Sequence, residues 1–255
     1  MNIFPKRIAL AVMSGLLIIA TVNAQEQTTA PLGAVEILGC NFNSGKNMND
    51  LNAVVRKYNA WSDSHNMDQY TALILTPLYH SAEMTFDVLW LGAWPNGTAM
   101  GKDTVVWIND GEKMLNEFNR VMDCSVFLQL ASLNVRPPSG PVAAGAIADF
   151  TDCKVKEGRT SQEAIAAIAE WAQYLADNGS DLPHWVNFPV AGESADADYD
   201  FKLSTGFSDP VAYGKFMDFY TSKGYSKANE LFGRLMDCNS ARVYAIIPAR
   251  VAAGD

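Results

Sequence analysis

Histidine and cysteine are scarce in this sequence, and neither is spaced as a metal site requires. The three histidines, His65, His80 and His184, lie far apart. The four cysteines form no Cys-x-x-Cys pair, the common spacing of zinc ligands. There is also no phosphate-binding loop and no serine–histidine–aspartate order of the known hydrolases. The sequence therefore predicts a protein that uses no metal and no other cofactor.

Basic residues are outnumbered as well. Lysine and arginine total 19 against 28 aspartate and glutamate residues, so the formal net charge is −9. Nucleic acids and anionic membranes bind basic surfaces, and we expect neither as a partner. Hydrophobic residues make up 49% of the chain and charged residues 18%, which is typical of a globular protein with an apolar core.

One long apolar run stands at the N-terminus. Lys6 and Arg7 precede the apolar residues 8–22, and Val22-Asn23-Ala24 has the small residues of a cleavage site. We interpret residues 1–24 as a signal peptide. No later segment reaches the roughly 18 apolar residues of a membrane helix. We therefore expect a periplasmic or secreted protein without a membrane span. In these compartments cysteines form disulfides.

Two similar stretches divide the rest of the chain. Residues 119–125 and 233–239 both contain the pattern Arg-x-Met-Asp-Cys, each between a helical pattern and an apolar strand. Each also follows an earlier cysteine, Cys40 or Cys153, at almost the same distance. The sequence thus predicts a tandem duplication. The predicted segments are a leader (25–33), a first repeat (34–135), a proline-rich linker (136–145) and a second repeat (146–250).

Hydrophobic periodicity predicts the order β-α-β-β-α-β in each repeat. The predicted strands are 35–40, 70–79, 81–90 and 126–133, then 146–153, 185–190, 199–206 and 243–247. The predicted helices begin near residues 47 and 99, and then near residues 161 and 210. This order gives a four-stranded antiparallel sheet of the ferredoxin-like type with helices on one face. We expect an α+β fold in which the two sheets pack face to face and cover each other.

The same topology predicts the disulfides. In a ferredoxin-like sheet the last strand lies antiparallel beside the first, so the start of one adjoins the end of the other. Cys40 then meets Cys124, and Cys153 meets Cys238. The competing pair, Cys40 with Cys153, has no support from this topology.

At this level the chain resembles the dimeric α+β barrel superfamily, which includes antibiotic-biosynthesis monooxygenase-like and NipSnap-like proteins. The resemblance covers nearly all of residues 34–250 and rests on topology and duplication. It implies a monomer that contains both halves of a barrel. It also implies a family in which haem-degrading members use an asparagine on strand one, a tryptophan on strand three and a histidine on the second helix. Asn41 and Trp90 match the first two, but neither second helix contains a histidine.

An acid stands four residues before the first cysteine of each repeat. Strand alternation places Glu36 on the same face as Cys40, and Asp149 on the same face as Cys153. If this face points between the sheets, both carboxylates are partly buried and are candidate catalytic bases. The alternative is that both lie near a strand edge, solvated or paired with a neighbouring base.

The third strands differ most between the repeats, and we align them so that Trp90 matches Ser204 and Val88 matches Lys202. This alignment predicts a one-sided cavity for a small ligand, with Trp90 and Trp94 against its apolar part. The alternative is that these tryptophans are ordinary core and turn residues.

A polar cluster would hold the other end of the ligand. Lys202 is expected to pair with Asp149, because strand three adjoins strand one. Arg242 and Tyr244 on the closing strand would complete this cluster with Ser204.

Three functions agree with these observations. The first is a protein that binds a small, partly apolar organic molecule. The second, suggested by the resemblance, is a cofactor-independent monooxygenase or isomerase with Glu36 or Asp149 as base. The third is a structural component of the cell surface or envelope.

Overall fold

Strands and helices alternate through residues 32–253, the part of the chain that the computed structural model describes. The predicted signal peptide and nearly all of the predicted leader lie outside the described residues. The strands are β1 Gly33–Phe42, β2 Thr71–Tyr79, β3 Val88–Trp94, β4 Met122–Arg136, β5 Ile147–Val155, β6 His184–Ala191, β7 Phe201–Phe207, β8 Met236–Cys238 and β9 Arg242–Arg250. The helices are α1 Met48–Ser64, α2 Gly97–Asp110, α3 Glu112–Asn119, α4 Ser161–Asp177, α5 Pro210–Phe219 and α6 Tyr225–Phe232, with a π-helical turn at Tyr220–Gly224.

Eight of these strands form one closed antiparallel barrel. The first half has the order β4-β1-β3-β2 and the second half has the order β9-β5-β7-β6. Pairing of β2 with β9 and of β4 with β6 joins the halves along both edges. The short strand β8 adds to β5. The predicted α+β fold is therefore present as a closed barrel, in which the edges of the two half-sheets hydrogen-bond to each other and form one continuous sheet.

The inside of the barrel is an apolar core shared by both halves. Strand alternation turns Val35 and Ile37 of β1 inward, while Glu36 faces the helices. The buried members of this core are Val35, Ile37, Leu75, Leu89, Leu130, Ala146, Phe150, Tyr244 and Ile246. Helices α1 to α3 cover the outer face of the first half, and α4 to α6 cover that of the second. Both faces of the sheet are thus buried.

The boundaries of several elements differ from the prediction. The second helical region of the first half breaks at Gly111 into α2 and α3, and Met122 to Cys124 belong to β4. Residues 81–87, predicted as part of a strand, precede β3.

Helix α1 starts with a capping box of Asn47 and Asp50, and α4 with one of Thr160 and Glu163.

Both disulfides have the predicted pairing. Cys40 is bonded to Cys124 and Cys153 to Cys238, so each bridge ties the first strand of a half to the segment after its helices. No helix within residues 32–253 has both the length and the apolar character needed to cross a membrane.

Candidate functional site

A cavity of about 490 Å³ lies between the outer face of the first-half strands and helices α1 to α3. Six of its lining residues are buried or partly buried aromatic side chains, and we call this space the aromatic cavity. They are Tyr58, Tyr70, Trp90, Trp94, Trp107 and Phe118. They come from α1, β3, α2, α3 and the residue before β2, so the cavity exists only when these elements are assembled.

Tyr58 of α1 holds the aromatic wall together. Its ring centroid lies 5.9 Å from that of Trp90, 6.2 Å from that of Tyr70 and 5.7 Å from that of Phe118. All three contacts are edge-to-face, the arrangement that aromatic rings prefer. Because each ring is fixed by its neighbours, the wall is largely preformed.

A chain of hydrogen bonds leads along this wall to a carboxyl group. The Trp90 Nε1–H donates to the Tyr70 hydroxyl oxygen at 2.7 Å, and that hydroxyl donates to Glu36 Oε1 at 2.9 Å. Burial raises the pKa of Glu36, although the hydrogen bond from Tyr70 acts in the opposite direction. The carboxyl group therefore takes up and releases a proton closer to neutral pH than an exposed glutamate does.

Gly92 makes room for this hydrogen bond. It lies on β3 directly opposite Glu36 of β1 and Ala72 of β2. A Cβ atom at Gly92 would stand 2.5 Å from Glu36 Oε1 and 2.5 Å from the Tyr70 hydroxyl oxygen. A glycine inside a strand often marks such a close approach, and here only glycine fits.

A second carboxyl group enters the aromatic cavity from α2. Asp103 Oδ2 accepts a hydrogen bond of 2.8 Å from Trp94 Nε1, which ties α2 to β3. Burial raises the pKa of Asp103, and the bond from Trp94 partly offsets this effect. Leu115 and Phe127 also line the cavity, but their exposed fractions are 44% and 58%. They mark the opening to solvent.

The second half carries a matching acid in a different setting. Asp149 of β5 lies opposite Thr205 of β7, whose backbone N–H donates to Asp149 Oδ1 at 3.1 Å. Burial raises the pKa of Asp149 to about 7. Against the sheet of this half, the Trp171 ring packs on Tyr220 and Phe232 at centroid distances of 6.2 and 6.0 Å.

The structure changes the predicted alignment of the halves by one residue. Glu36 pairs with Gly92 where Asp149 pairs with Thr205, so Trp90 corresponds to Leu203 and not to Ser204. Since side chains alternate along a strand, a shift of one position moves a residue to the other face of the sheet. Trp90 and Leu203 both face helices, whereas Lys202 and Ser204 face the barrel interior.

Lys202 therefore pairs with a different acid from the predicted one. Lys202 Nζ lies 2.8 Å from Asp152 Oδ1, and Arg242 Nη1 lies 2.7 Å from Asp152 Oδ2. The expected pair of Lys202 with Asp149 was wrong, because these side chains lie on opposite faces of the sheet. Lys202 also stands over the ring of Tyr199, and both line an open polar groove of about 770 Å³.

Ser204 and Tyr244 are buried inside the barrel. The Asn187 amide donates to Ser204 Oγ at 2.9 Å, and Ser132 Oγ donates to Asn187 Oδ1 at 2.8 Å. The Tyr244 ring lies 5.8 Å from that of Phe150 in an edge-to-face contact. The six predicted ligand-binding residues are thus divided. Trp90 and Trp94 line the aromatic cavity, and the other four lie on the opposite side of the sheet.

Sequence reasoning did not single out Tyr58, Tyr70, Trp107 and Phe118 of the aromatic wall, or Asp103 beside it. Tyr58 lies inside the first predicted helix and Tyr70 at the start of the second predicted strand, and neither position by itself marks a site. One pattern could have pointed to them, because Gly92 interrupts an apolar strand next to Trp90 and Trp94.

No family model matches this sequence. No curated protein matches it either.

Solved structures, in contrast, share the fold along most of the chain. A suspected monooxygenase from Lactobacillus acidophilus has a TM-score of 0.55 and 12% identity, with 87% of this chain and 96% of that chain covered. A heme-binding protein from Thermus thermophilus has a TM-score of 0.52 and 13% identity, over 86% and 92%. Chlorite dismutase from Candidatus Nitrospira defluvii has a TM-score of 0.51 and 8% identity, over 85% and 92%. At such identities the likeness establishes the fold, a closed α+β barrel similar to that of chlorite dismutase-like proteins.

Proposed function

We propose that this protein binds a small, partly apolar organic molecule in the aromatic cavity. The observation that carries the proposal is the cavity itself, with preformed aromatic walls and the hydrogen-bond chain from Trp90 through Tyr70 to Glu36. Its volume of about 490 Å³ is in the usual range for small-molecule sites, which are mainly apolar with a few polar groups that fix orientation. The solved proteins of this fold include one that binds heme, which agrees with a ligand-binding role.

Native mass spectrometry of the protein purified from its own host tests this proposal. We expect an additional mass that is lost on denaturation. Trp90→Ala should lower the retained fraction, because Trp90 forms part of the cavity wall. Trp171→Ala is the matched control, since both tryptophans have 5% exposure but Trp171 lies in the second half. Equal retention by the two variants, or a ligand mapped elsewhere, would contradict the proposal.

A second candidate function is a cofactor-independent monooxygenase or isomerase with Glu36 as general base. The observation that favours it is a carboxyl group with a raised pKa inside a cavity, held by Tyr70. An anthrone oxidase-like protein shares the fold, with a TM-score of 0.51 and 11% identity. For an enzyme, Glu36→Gln should abolish turnover of the retained molecule and leave its binding within a few-fold. Unchanged turnover would remove Glu36 as the base.

Haem fits the aromatic cavity poorly. Among the described residues that line it there is no histidine, and its one cysteine, Cys124, is held in a disulfide. Burial raises the pKa of Tyr58 and of Tyr70, which disfavours a phenolate ligand. Asn41, the candidate from the resemblance, accepts a hydrogen bond from the backbone N–H of Asp87 instead.

The proposal also includes the division of the chain into two ferredoxin-like units. A fusion of two ferredoxin-like units, 34–135 and 146–250, agrees with the identical strand order of the two halves. Such a chain supplies both halves of its barrel and needs no partner chain. Two disulfides are compatible with a periplasmic or secreted location.

A further inference from the structure

The aromatic cavity combines acids with aromatic rings and lacks a basic side chain. Glu36, Asp103 and Asp123 line it, and no lysine, arginine or histidine does so among the described residues. Ligand sites for carboxylates or phosphates use basic side chains or helix N-termini. This lining is unsuited to an anion.

The aromatic rings are arranged to receive a positive charge. The face of an aromatic ring carries negative electrostatic potential, and Trp and Tyr attract cations most strongly. Tyr58 and Trp90 meet at an interplanar angle of 84°, and Tyr58 and Trp107 at 72°. Rings at steep angles around one space are the geometry by which proteins bind ammonium groups.

Among the described residues, no basic side chain pairs with Glu36. Arg250 of β9 is occupied elsewhere, since its Nη1 lies 2.8 Å from Asp63 Oδ1 and its Nη2 donates to the Met67 carbonyl at 3.0 Å. The direct partner of Glu36 is the neutral Tyr70. An enclosed carboxylate without a cation is unfavourable, and a positively charged ligand would supply the missing partner.

Resting on the proposed function, we propose that the ligand is an organic cation: a protonated or quaternary amine carried on an apolar body. The ammonium group lies in the aromatic cavity against the rings that line it, Tyr58 and Trp90 among them, within reach of Glu36. The apolar body extends past Phe118 toward Leu115 and Phe127 at the opening.

Three probes of one shape and different charge test this assignment. They are 4-phenylbutylamine, 4-phenylbutan-1-ol and 4-phenylbutyrate, titrated into the folded protein at neutral pH by calorimetry. We expect the amine to bind roughly tenfold more tightly than the alcohol, a difference of about 1.4 kcal/mol, since a cation is attracted to the faces of aromatic rings and to a carboxylate. The carboxylate probe should bind most weakly.

Glu36→Gln and Glu117→Gln form a matched pair of variants. Glu36→Gln removes the charge in the cavity and should reduce the preference for the amine to about twofold. Glu117→Gln makes the same change on α3 outside the aromatic cavity, where Glu117 pairs with Lys57 and Arg120, and should keep the preference. If Glu36→Gln fails to fold, the trimethylammonium form of the amine replaces it as the test, because that probe should still outcompete the alcohol in the native protein.

The outcomes separate the two proposals. If the alcohol binds as tightly as the amine, the cation assignment is wrong and the proposed binding function stands. If the preference survives in Glu36→Gln, the cation is held elsewhere and the assignment of its partner is wrong. If none of the three probes binds at millimolar concentration, both proposals are overturned.

Discussion

Gly92 and Glu36 face each other across β3 and β1, and the missing side chain of Gly92 is what allows Tyr70 to reach Glu36. Strands β1 and β3 and the residue before β2 thereby contribute to one hydrogen-bonded unit. The site depends on the absence of a side chain at Gly92.

Gly92→Ala should therefore damage both the site and the fold. The added Cβ would lie 2.5 Å from atoms of Glu36 and Tyr70, and overpacking of this kind costs about 1–3 kcal/mol. Urea denaturation followed by tryptophan fluorescence measures the loss. Gly101→Ala on α2 is the control, since a Cβ there meets nothing within 4 Å and alanine favours a helix by roughly 0.5–1 kcal/mol. Equal stability of the two variants would contradict the steric argument.

Asp152 should matter more than either of its partners. Burial alone would raise the pKa of Asp152, but hydrogen bonds from Arg242 and Lys202 lower it below its ordinary value. Asp152→Ala leaves two cations without a partner and should cost about 3 kcal/mol. Lys202→Ala leaves Arg242 in place and should cost less than half as much. Thermal denaturation of the two variants gives the comparison, and equal losses would mean that Arg242 does not share the acid.

Asp149 should make the protein less stable as the pH rises. The pKa of Asp149 is about 7 in the folded state, compared with the ordinary value of 3.8. The folded protein therefore holds the proton of this carboxyl group more tightly than the unfolded chain does. The favourable contribution is complete below about pH 4 and is lost as the pH rises to 7. Tyr213 of α5 is a titratable side chain near Asp149, and burial and the charge of Asp149 both raise the pKa of Tyr213.

Asp149→Asn isolates this contribution. Between pH 4 and pH 7 the wild type should lose of order 3–4 kcal/mol of unfolding free energy relative to the variant. Urea denaturation at each pH measures the difference, which should level off above pH 7. Parallel stability curves for the two proteins would show that Asp149 titrates normally.

Each disulfide should stabilise the fold through the unfolded state. A bridge that closes a loop of 84 or 85 residues is worth about 4–5 kcal/mol in the chain-entropy model. Replacement of Cys40 and Cys124 together by alanine should lower the unfolding free energy by that amount. Peptide mapping without reductant should find Cys40 with Cys124 and Cys153 with Cys238, and a peptide joining Cys40 to Cys153 would exclude this arrangement.

The protein should remain a folded monomer on dilution. The pairings β2–β9 and β4–β6 close the barrel within one chain, so no second chain is needed. Light scattering gives the mass, and circular dichroism at nanomolar to micromolar concentration reports the fold. Unfolding that depends on concentration would show that the barrel closes between chains.

The order of the strands could be predicted from sequence. Which face of each strand points to the helices and which to the barrel interior could not. The repeated cysteines fixed which strand ends meet, and Cys40–Cys124 followed from topology. The alignment of Trp90 with Ser204 placed the third strands one residue out of register, which put Lys202 and Trp90 on one face. Alternation in β1 also does not tell which face meets the helices, because both faces are buried.

The aromatic cavity was beyond sequence reasoning for a related reason. Tyr58, Tyr70 and Asp103 come from α1, a loop and α2, and their meeting depends on how far the helices stand from the sheet. Tyr58 and Trp171 are at corresponding positions in α1 and α4, each eleven residues after its N-cap, Asn47 or Thr160, and the surrounding side chains differ between the halves. Packing of that kind is decided by volumes and not by periodicity.

The closed ring of strands has a consequence for solubility. Each of its eight strands, all within the described residues, has a neighbour on both sides, so no strand of the ring has one edge wholly unpaired. A half-molecule cut within residues 137–146 would expose two such edges at once, on β2 and β4 or on β6 and β9. Separated halves would therefore aggregate through their strand edges, by pairing with each other, with copies of themselves or into fibres. In the intact chain these edges pair with each other, which prevents such aggregation.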